Sequence, residues 1–179
     1  MTQANGKIAV PDDWIPMKRV LGLGVACIDI IACVNEYPKP DEKIRADSVQ
    51  LFSGGNVGNT LSAISKLGEA DASILTKVGK DSNGGFYIDD LKKVGVDVTH
   101  VIDSLTAPTL LVYVIVDKQG CRTCIASPNE GELTPLEIVN KLRVTNETTG
   151  AREDGTLLDN VQVNLFYFNP RQSLFPLHL

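Results

Sequence analysis

Apolar positions along this chain follow first a strand period, then a helix period, and the two alternate. Val20-Leu21-Gly22-Leu23-Gly24-Val25 is apolar throughout, the pattern of a strand buried on both faces. Ile28 to Val34 stays β-branched and predicts a second strand. Pro38 and Pro40 mark a turn, and Ile44 to Phe52 is placed to pair back as the other strand of a small flap. Ser53-Gly54-Gly55-Asn56-Val57-Gly58-Asn59-Thr60 then changes the period. Its glycines allow a tight turn, and Val57, Leu61, Ile64 and Leu67 share one helical face that Gly68 should end. Ala72 to Val78 predicts a strand, and Asp81 or Ser82 is placed to cap a helix with Phe86, Leu91 and Val94 on its stripe. Gly95 should stop that helix. Strand, helix, strand, helix in this rhythm predicts an α/β fold with a mainly parallel sheet and helices on its faces.

Further along, Val98 to Ile102 is a short apolar stretch and Leu110 to Val116 a strong strand. Lys118-Gln119-Gly120 makes a hairpin turn, and Cys121 to Ala126 returns. The two predicted hairpins suggest a small sheet apart from the main layer. Leu133-Thr134-Pro135-Leu136-Glu137-Ile138 is the clearest local signal. Thr134 should be an N-cap, Pro135 the first helical residue, and Glu137 the partner in a capping box. Asn146 to Asp154 reads as a loop and Val161 to Phe168 as a last strand.

At 179 residues one domain is the default expectation. Hydrophobic content of 43% and charged content of 22% are ordinary for a soluble protein. A net charge of -5 with no basic run gives no support for nucleic-acid binding. The first 18 residues have neither a secretory signal nor the Arg-rich look of a transit peptide. The apolar stretch Val20 to Val34 is too short for a membrane span and contains Asp29. The expectation is a soluble, cytoplasmic protein. Its four cysteines, Cys27, Cys33, Cys121 and Cys124, are then expected to be reduced structural thiols. Cys121 and Cys124 have CxxC spacing, but no second Cys or His pair completes a zinc set, and no metal ligands are expected.

The candidate chemistry gathers around Gly54 to Asn59. Asn56 and Asn59 should share one face of a first helical turn. Carboxamides there can donate and accept hydrogen bonds, which suits a polyhydroxylated or anionic small molecule. Helix capping by the same asparagines is the alternative, and local pattern leaves both open. Asp29 is an acid near the end of a buried strand, where open α/β sheets put ligands. A turn or cap role is again the alternative. A dinucleotide site is disfavoured: Gly22 and Gly24 lack the third glycine, and no helix follows them.

With these residues identified, residues 20 to about 168 resemble the N-terminal half of the PfkB-family (ribokinase-like) sugar kinases. Gly24-Val25-Ala26-Cys27-Ile28-Asp29 resembles the segment whose aspartate binds substrate hydroxyls. Gly54-Gly55-Asn56-Val57-Gly58-Asn59 resembles the glycine–asparagine signature. Val78-Gly79-Lys80-Asp81 through Gly84, with Leu91 to Val96-Asp97, resembles a further block. Asp117 to Thr123 and Glu132-Leu133-Thr134-Pro135 also match. Any one motif is weak; five in order are specific. Tyr37-Pro38 and Ile44-Arg45, within Asp29 to Asn59, most resemble ketohexokinases.

The resemblance implies a Rossmann-like α/β domain with a small β lid, and transfer of the ATP γ-phosphoryl group to a sugar hydroxyl with Mg²⁺. It implies that Asp29, Gly55, Asn56 and Asn59 hold the sugar, with a ketohexose such as fructose as the acceptor. It implies that Asp41 is a lid acid reaching the neighbouring subunit's site in a homodimer paired through the lid strands. The family's second half should carry a Gly-x-Gly-Asp segment, whose aspartate is the general base and whose helix start holds the phosphate. No such segment occurs in these residues, so no catalytic residue is assigned and the nucleotide region is expected to be largely absent. The expected organisation is an extension over 1–19, the kinase part over 20–168 and a divergent tail over 169–179, as a splice variant would leave. Two functions follow: a sugar kinase represented by a chain inactive alone, or a non-enzymatic isoform acting as a regulatory or dimerising subunit.

Overall fold

The computed structural model describes residues 18–68, 70–128, 131–145, 152–156 and 162–163. The first apolar run forms β1 (Lys18–Leu23), and β-branched residues continue as β2 (Cys27–Cys33). β3 (Ser48–Gly54) returns to the glycines, which open α1 (Asn56–Leu67). β4 (Ala70–Leu75), β5 (Lys77–Gly79) and α2 (Ser82–Lys93) follow. Next come β6 (Ile102–Ser104), β7 (Leu110–Val116), β8 (Arg122–Ala126) and α3 (Pro135–Leu142). β9 (Arg143–Thr145), β10 (Arg152–Thr156) and β11 (Gln162–Val163) complete the described elements.

β1 is the centre of a parallel sheet ordered β11-β1-β4. Alternation along β1 sends its side chains to opposite faces. Leu21 and Leu23 join Leu75 in one cluster, which Leu133, Ile138 and Leu142 cover from α3 and its approach. The opposite face carries Ala72 and Ile74, packed with Val57 and Leu61 of α1 and with Tyr87 and Leu91 of α2. Helices therefore cover both faces, as the strand and helix rhythm predicts.

The second sheet is ordered β3-β2-β7-β8. β3 and β8 each run antiparallel to their neighbour, and β2 and β7 run parallel at the centre. The two predicted hairpins thus join side by side into one small lid sheet. Ile28, fully buried, points from the lid into the main core and ties the layers together.

Several boundaries differ from expectation. The strand predicted over Ala72 to Val78 breaks at Thr76. Thr76 is buried; its hydroxyl donates to Gly24 O (2.7 Å), and its carbonyl accepts from Ile102 N (2.9 Å). The chain there leaves β1 and pairs with β6 instead. The flap strand starts at Ser48, opposite Cys33, because β2 ends there. The short apolar stretch Val98 to Ile102 leads into β6, which begins at Ile102. Of the loop predicted over Asn146 to Asp154, residues 146–151 lie outside the described residues, while 152–154 belong to β10, which pairs antiparallel with β9. β11 supplies two residues of the predicted last strand, and the rest of it lies outside the described residues, as do 1–17 and 164–179.

Local chemistry holds the helix ends where the sequence placed them. Asp81 caps α2 by accepting from Gly84 N (2.8 Å). Thr134 and Glu137 form the predicted capping box, with N–H to side-chain oxygen distances of 2.8 and 3.2 Å. Gly68 ends α1 in the left-handed conformation.

Candidate functional site

Asp29 sits on β2, opposite Phe52 of β3 and Val112 of β7. Directly opposed residues share a face of a sheet, so this half-buried carboxylate stands on an apolar patch with Phe52, Val112 and Ala126. Asp29 lies within β2, so it is neither a turn residue nor a helix cap. The Cys27 thiol donates to Asp29 Oδ1 (3.5 Å). Burial, and then the charge and hydrogen bond of Asp29, push this thiol up to about 12. Cys27 therefore stays protonated and orients the carboxylate; it is no nucleophile.

The end of β3 is shaped around that carboxylate. A Cβ at Gly54 would lie 2.6 Å from Asp29 Oδ2 and 2.7 Å from Oδ1. At Gly55 φ is +92°, and a Cβ would lie 2.3 Å from Val25 O, so conformation and space both require glycine. α1 starts at the next residue. Asn56 and Asn59 lie in its first turn, both exposed, and no side chain caps the helix. The capping alternative for the asparagines is thereby removed. Two peptide steps separate Gly54 from Asn56, so their Cα atoms are within about 8 Å. The structure thus brings Asp29, Gly55, Asn56 and Asn59 to one junction of lid and main layer.

Asp41 is elsewhere. It lies in the loop beyond the Cys33–Ser48 pair, at the far end of the β2–β3 hairpin from Gly54. The six residue steps of β2 span about 20 Å at a rise of roughly 3.3 Å per residue. Asp41 is exposed, with φ of +63°. The register therefore has the loop that carries Asp41 leave the hairpin at the end opposite Gly54.

Other polar groups surround the junction. The Ser53 hydroxyl donates to the Asp90 carboxylate of α2. Thr109, almost fully buried, donates its N–H (2.9 Å) and hydroxyl (2.7 Å) to Asp81 and accepts from Gly79 N (2.9 Å). Burial pushes the Asp81 carboxyl up, but hydrogen bonds from Thr109, Gly84 and Asn83 outweigh it and hold the group below its ordinary value. A cleft lined by Gly24, Val25, Thr76, Lys77, Pro108 and Leu133 opens at the carboxyl ends of β1 and β4. Lys77 pairs there with Glu137 at 2.8 Å. Neither Cys27 nor Gly54 was assigned to the site by sequence; the signal lay in the β2–β3 register, which only pairing reveals.

A model of the pfkB family of carbohydrate kinases matches residues 17–149, most of the chain. This chain belongs to the pfkB carbohydrate kinase family. It is 29% identical over 130 residues to an ATP-dependent ribose-1-phosphate kinase from Halopiger xanaduensis, covering 73% of this chain and 44% of that protein. It is 28% identical over 117 residues to the ketohexokinase of Mus musculus, covering 65% and 36%. The crystal structure of a ribokinase from Thermotoga maritima superposes with a TM-score of 0.57 at 28% identity, covering 65% of this chain and 37% of that one. The chain therefore spans less than half the length of these relatives. The ribokinase-like fold is shared, while ribokinases recur among the relatives beside ketohexokinase, so the ketohexokinase leaning of the flap residues is not carried by this likeness.

Among the described residues, no group of three or more His, Cys, Asp or Glu side chains is arranged to hold a metal ion. Cys121 and Cys124 are free and exposed, so they do not pack as structural thiols; Cys27 alone is buried. No described helix is long and apolar enough to cross a membrane.

Proposed function

We propose that these residues form the acceptor-sugar side of an ATP-dependent sugar kinase of the cytoplasm. The observation that carries this reading is the Asp29 carboxylate set against Gly54, one residue before the Gly55-Asn56 helix start. A sugar needs several fixed polar partners, and a hydroxyl left unmatched in a closed site is costly. Asp29 would accept hydroxyl protons, while Asn56 and Asn59 would donate and accept across the first turn of α1. The acceptor is read as a ketohexose such as fructose from Tyr37-Pro38 and Ile44-Arg45, with ribose as the alternative. ATP and Mg²⁺ are the implied cofactors. No Gly-x-Gly-Asp base is present in residues 1–179, so these residues alone should not turn over ATP.

Calorimetric titration of the 179-residue chain with D-fructose and D-ribose tests the reading. Saturable binding of one sugar, lost in Asp29→Ala, is expected, with no ATP-dependent phosphorylation. Equal binding by Asp29→Ala removes the site; robust turnover by residues 1–179 removes the inactivity.

A second reading, a dimerising subunit, is favoured by one observation. Leu51, Ile30, Tyr113 and Ile125 stand in register across all four lid strands, and Leu51, Tyr113 and Ile125 are exposed. Exposed apolar rows of this kind favour pairing with a like surface. A homodimer through the lid would also carry Asp41 toward the partner's site. Sedimentation of the chain and of Ile125→Asp distinguishes the cases: a dimer that the substitution dissociates supports it, and a monomer at micromolar concentration ends it.

A further inference from the structure

The helix α2 touches the sugar-side junction from beneath at two points, and one of them is hard to explain as packing. Tyr87 is fully buried, and its hydroxyl finds no hydrogen-bond partner among the described residues. A phenylalanine would fill the space of the ring without desolvating a hydroxyl. The phenol oxygen sits where a side chain at position 58 would go: a Cβ at Gly58 would lie 2.5 Å from Tyr87 Oη. Gly58 lies inside the first turn of α1, between Asn56 and Asn59. One turn along α2 from Tyr87, Asp90 accepts from Ser53, the residue before Gly54. Residues three apart on a helix share a face. One face of α2 thus contacts the Gly54–Asn59 junction on both sides, at Ser53 and at Gly58.

We propose that Tyr87 and Asp90 are positioning residues that fix the first turn of α1, and with it Asn56 and Asn59, relative to Asp29. The inference rests on the acceptor-site reading for its functional consequence, but the positioning itself does not. A buried polar group without a partner, placed against a functional turn, is retained at a cost to folding. Burial pushes the phenol up, with the nearby Cys27 adding to it, so the group stays a neutral hydroxyl. Ser53 and Gly58 set the two ends of the turn, and α2 supplies the fixed distance between them.

The test uses the 179-residue chain with Tyr87→Phe and, separately, Ser53→Ala. Three quantities are read: the thermal midpoint, amide exchange at Asn59 and Thr60, and titration with D-fructose and D-ribose. Tyr87→Phe should keep or raise the midpoint while exchange at Asn59 and Thr60 quickens at least tenfold and sugar affinity falls at least fivefold. Ser53→Ala should quicken the same amides. Unchanged exchange at Asn59 and Thr60 in both variants overturns the proposal. So does a lowered midpoint with exchange raised evenly across the helix, which marks Tyr87 as packing alone. Faster local exchange with unaltered sugar affinity also overturns it. If the wild-type chain binds neither sugar while local exchange quickens, the positioning stands and the acceptor-site reading fails.

Discussion

Gly54 lies so close to the Asp29 carboxylate that a methyl group there would stand 2.6 Å from Oδ2. The lid strand β3 ends in a glycine because an acid on the neighbouring strand needs that space. Gly54→Ala should therefore push the Asp29 side chain aside rather than break the sheet. Overpacking of a well-filled site costs about 1–3 kcal/mol, and the flexible carboxylate keeps this case near the low end. Sugar affinity should fall about tenfold, as for a lost charge-assisted hydrogen bond. Thermal denaturation and sugar titration of the one variant check both halves; an unchanged affinity would sink the link between Gly54 and the site.

Asn56 and Asn59 support the opposite combination. Both are exposed in a helical turn that no side chain caps. Alanine has the higher helix propensity, by roughly 0.5 kcal/mol. Asn56→Ala and Asn59→Ala should leave stability within about 0.5 kcal/mol or raise it slightly. Binding should weaken in both, and more in the double variant. A measurable loss of thermal stability without loss of binding would return these residues to a structural role.

Asp81 joins three segments of the chain. It caps α2 through Gly84 N and takes both the N–H and the hydroxyl of buried Thr109 at the entry to β7. Asp81→Ala removes the cap, worth about 1 kcal/mol, and strands a buried N–H, worth about 1–3 kcal/mol. Unfolding in urea should show a loss of about 2–4 kcal/mol with an unchanged slope. Thr109→Val should also cost stability, since it strands the Gly79 N–H, although the backbone N–H at 109 still finds Asp81. A loss of under 0.5 kcal/mol for Asp81→Ala would mean that water replaces these bonds.

How far the fold could be read from sequence follows from how local each determinant is. The capping box at Thr134 and Glu137 involves residues three apart, and it formed as read. Leu110 to Val116 is a strand by its own composition, and its bounds matched. The break at Thr76 was not legible, because it comes from a hydrogen bond to Gly24 and a switch of partner to Ile102. The site divides the same way. Asp29, Gly55, Asn56 and Asn59 stand out by residue type and spacing. Cys27, Gly54 and the contacts from α2 depend on strand register and tertiary packing, which no local pattern encodes. Asp41 is named from resemblance alone, and that its loop leaves the hairpin at the end opposite Gly54 emerges only from the strand register.

Glu137 gives the chain a pH signature that can be read without any ligand. The hydrogen bond from Lys77 (2.8 Å) acts first, then the Thr134 N–H (2.8 Å), and together they lower the Glu137 carboxyl from 4.5 to about 2. A group with a depressed folded-state pKa adds stability that is present above its unfolded value. That stability is lost as pH falls through the folded value. The window therefore runs from about 4.5 down to about 2. Glu137→Gln removes the charge but keeps the size and much of the capping geometry. The thermal midpoint of the variant should lie below wild type at pH 7, and the gap should narrow steadily below pH 4.5 until the two meet near pH 2. Lys77→Met should show a gap over the same range, since it removes the leading cause of the shift. A gap that stays constant from pH 7 to pH 2.5 would assign the effect to packing of α3 on the Leu21, Leu23 and Leu75 cluster instead of to the ion pair.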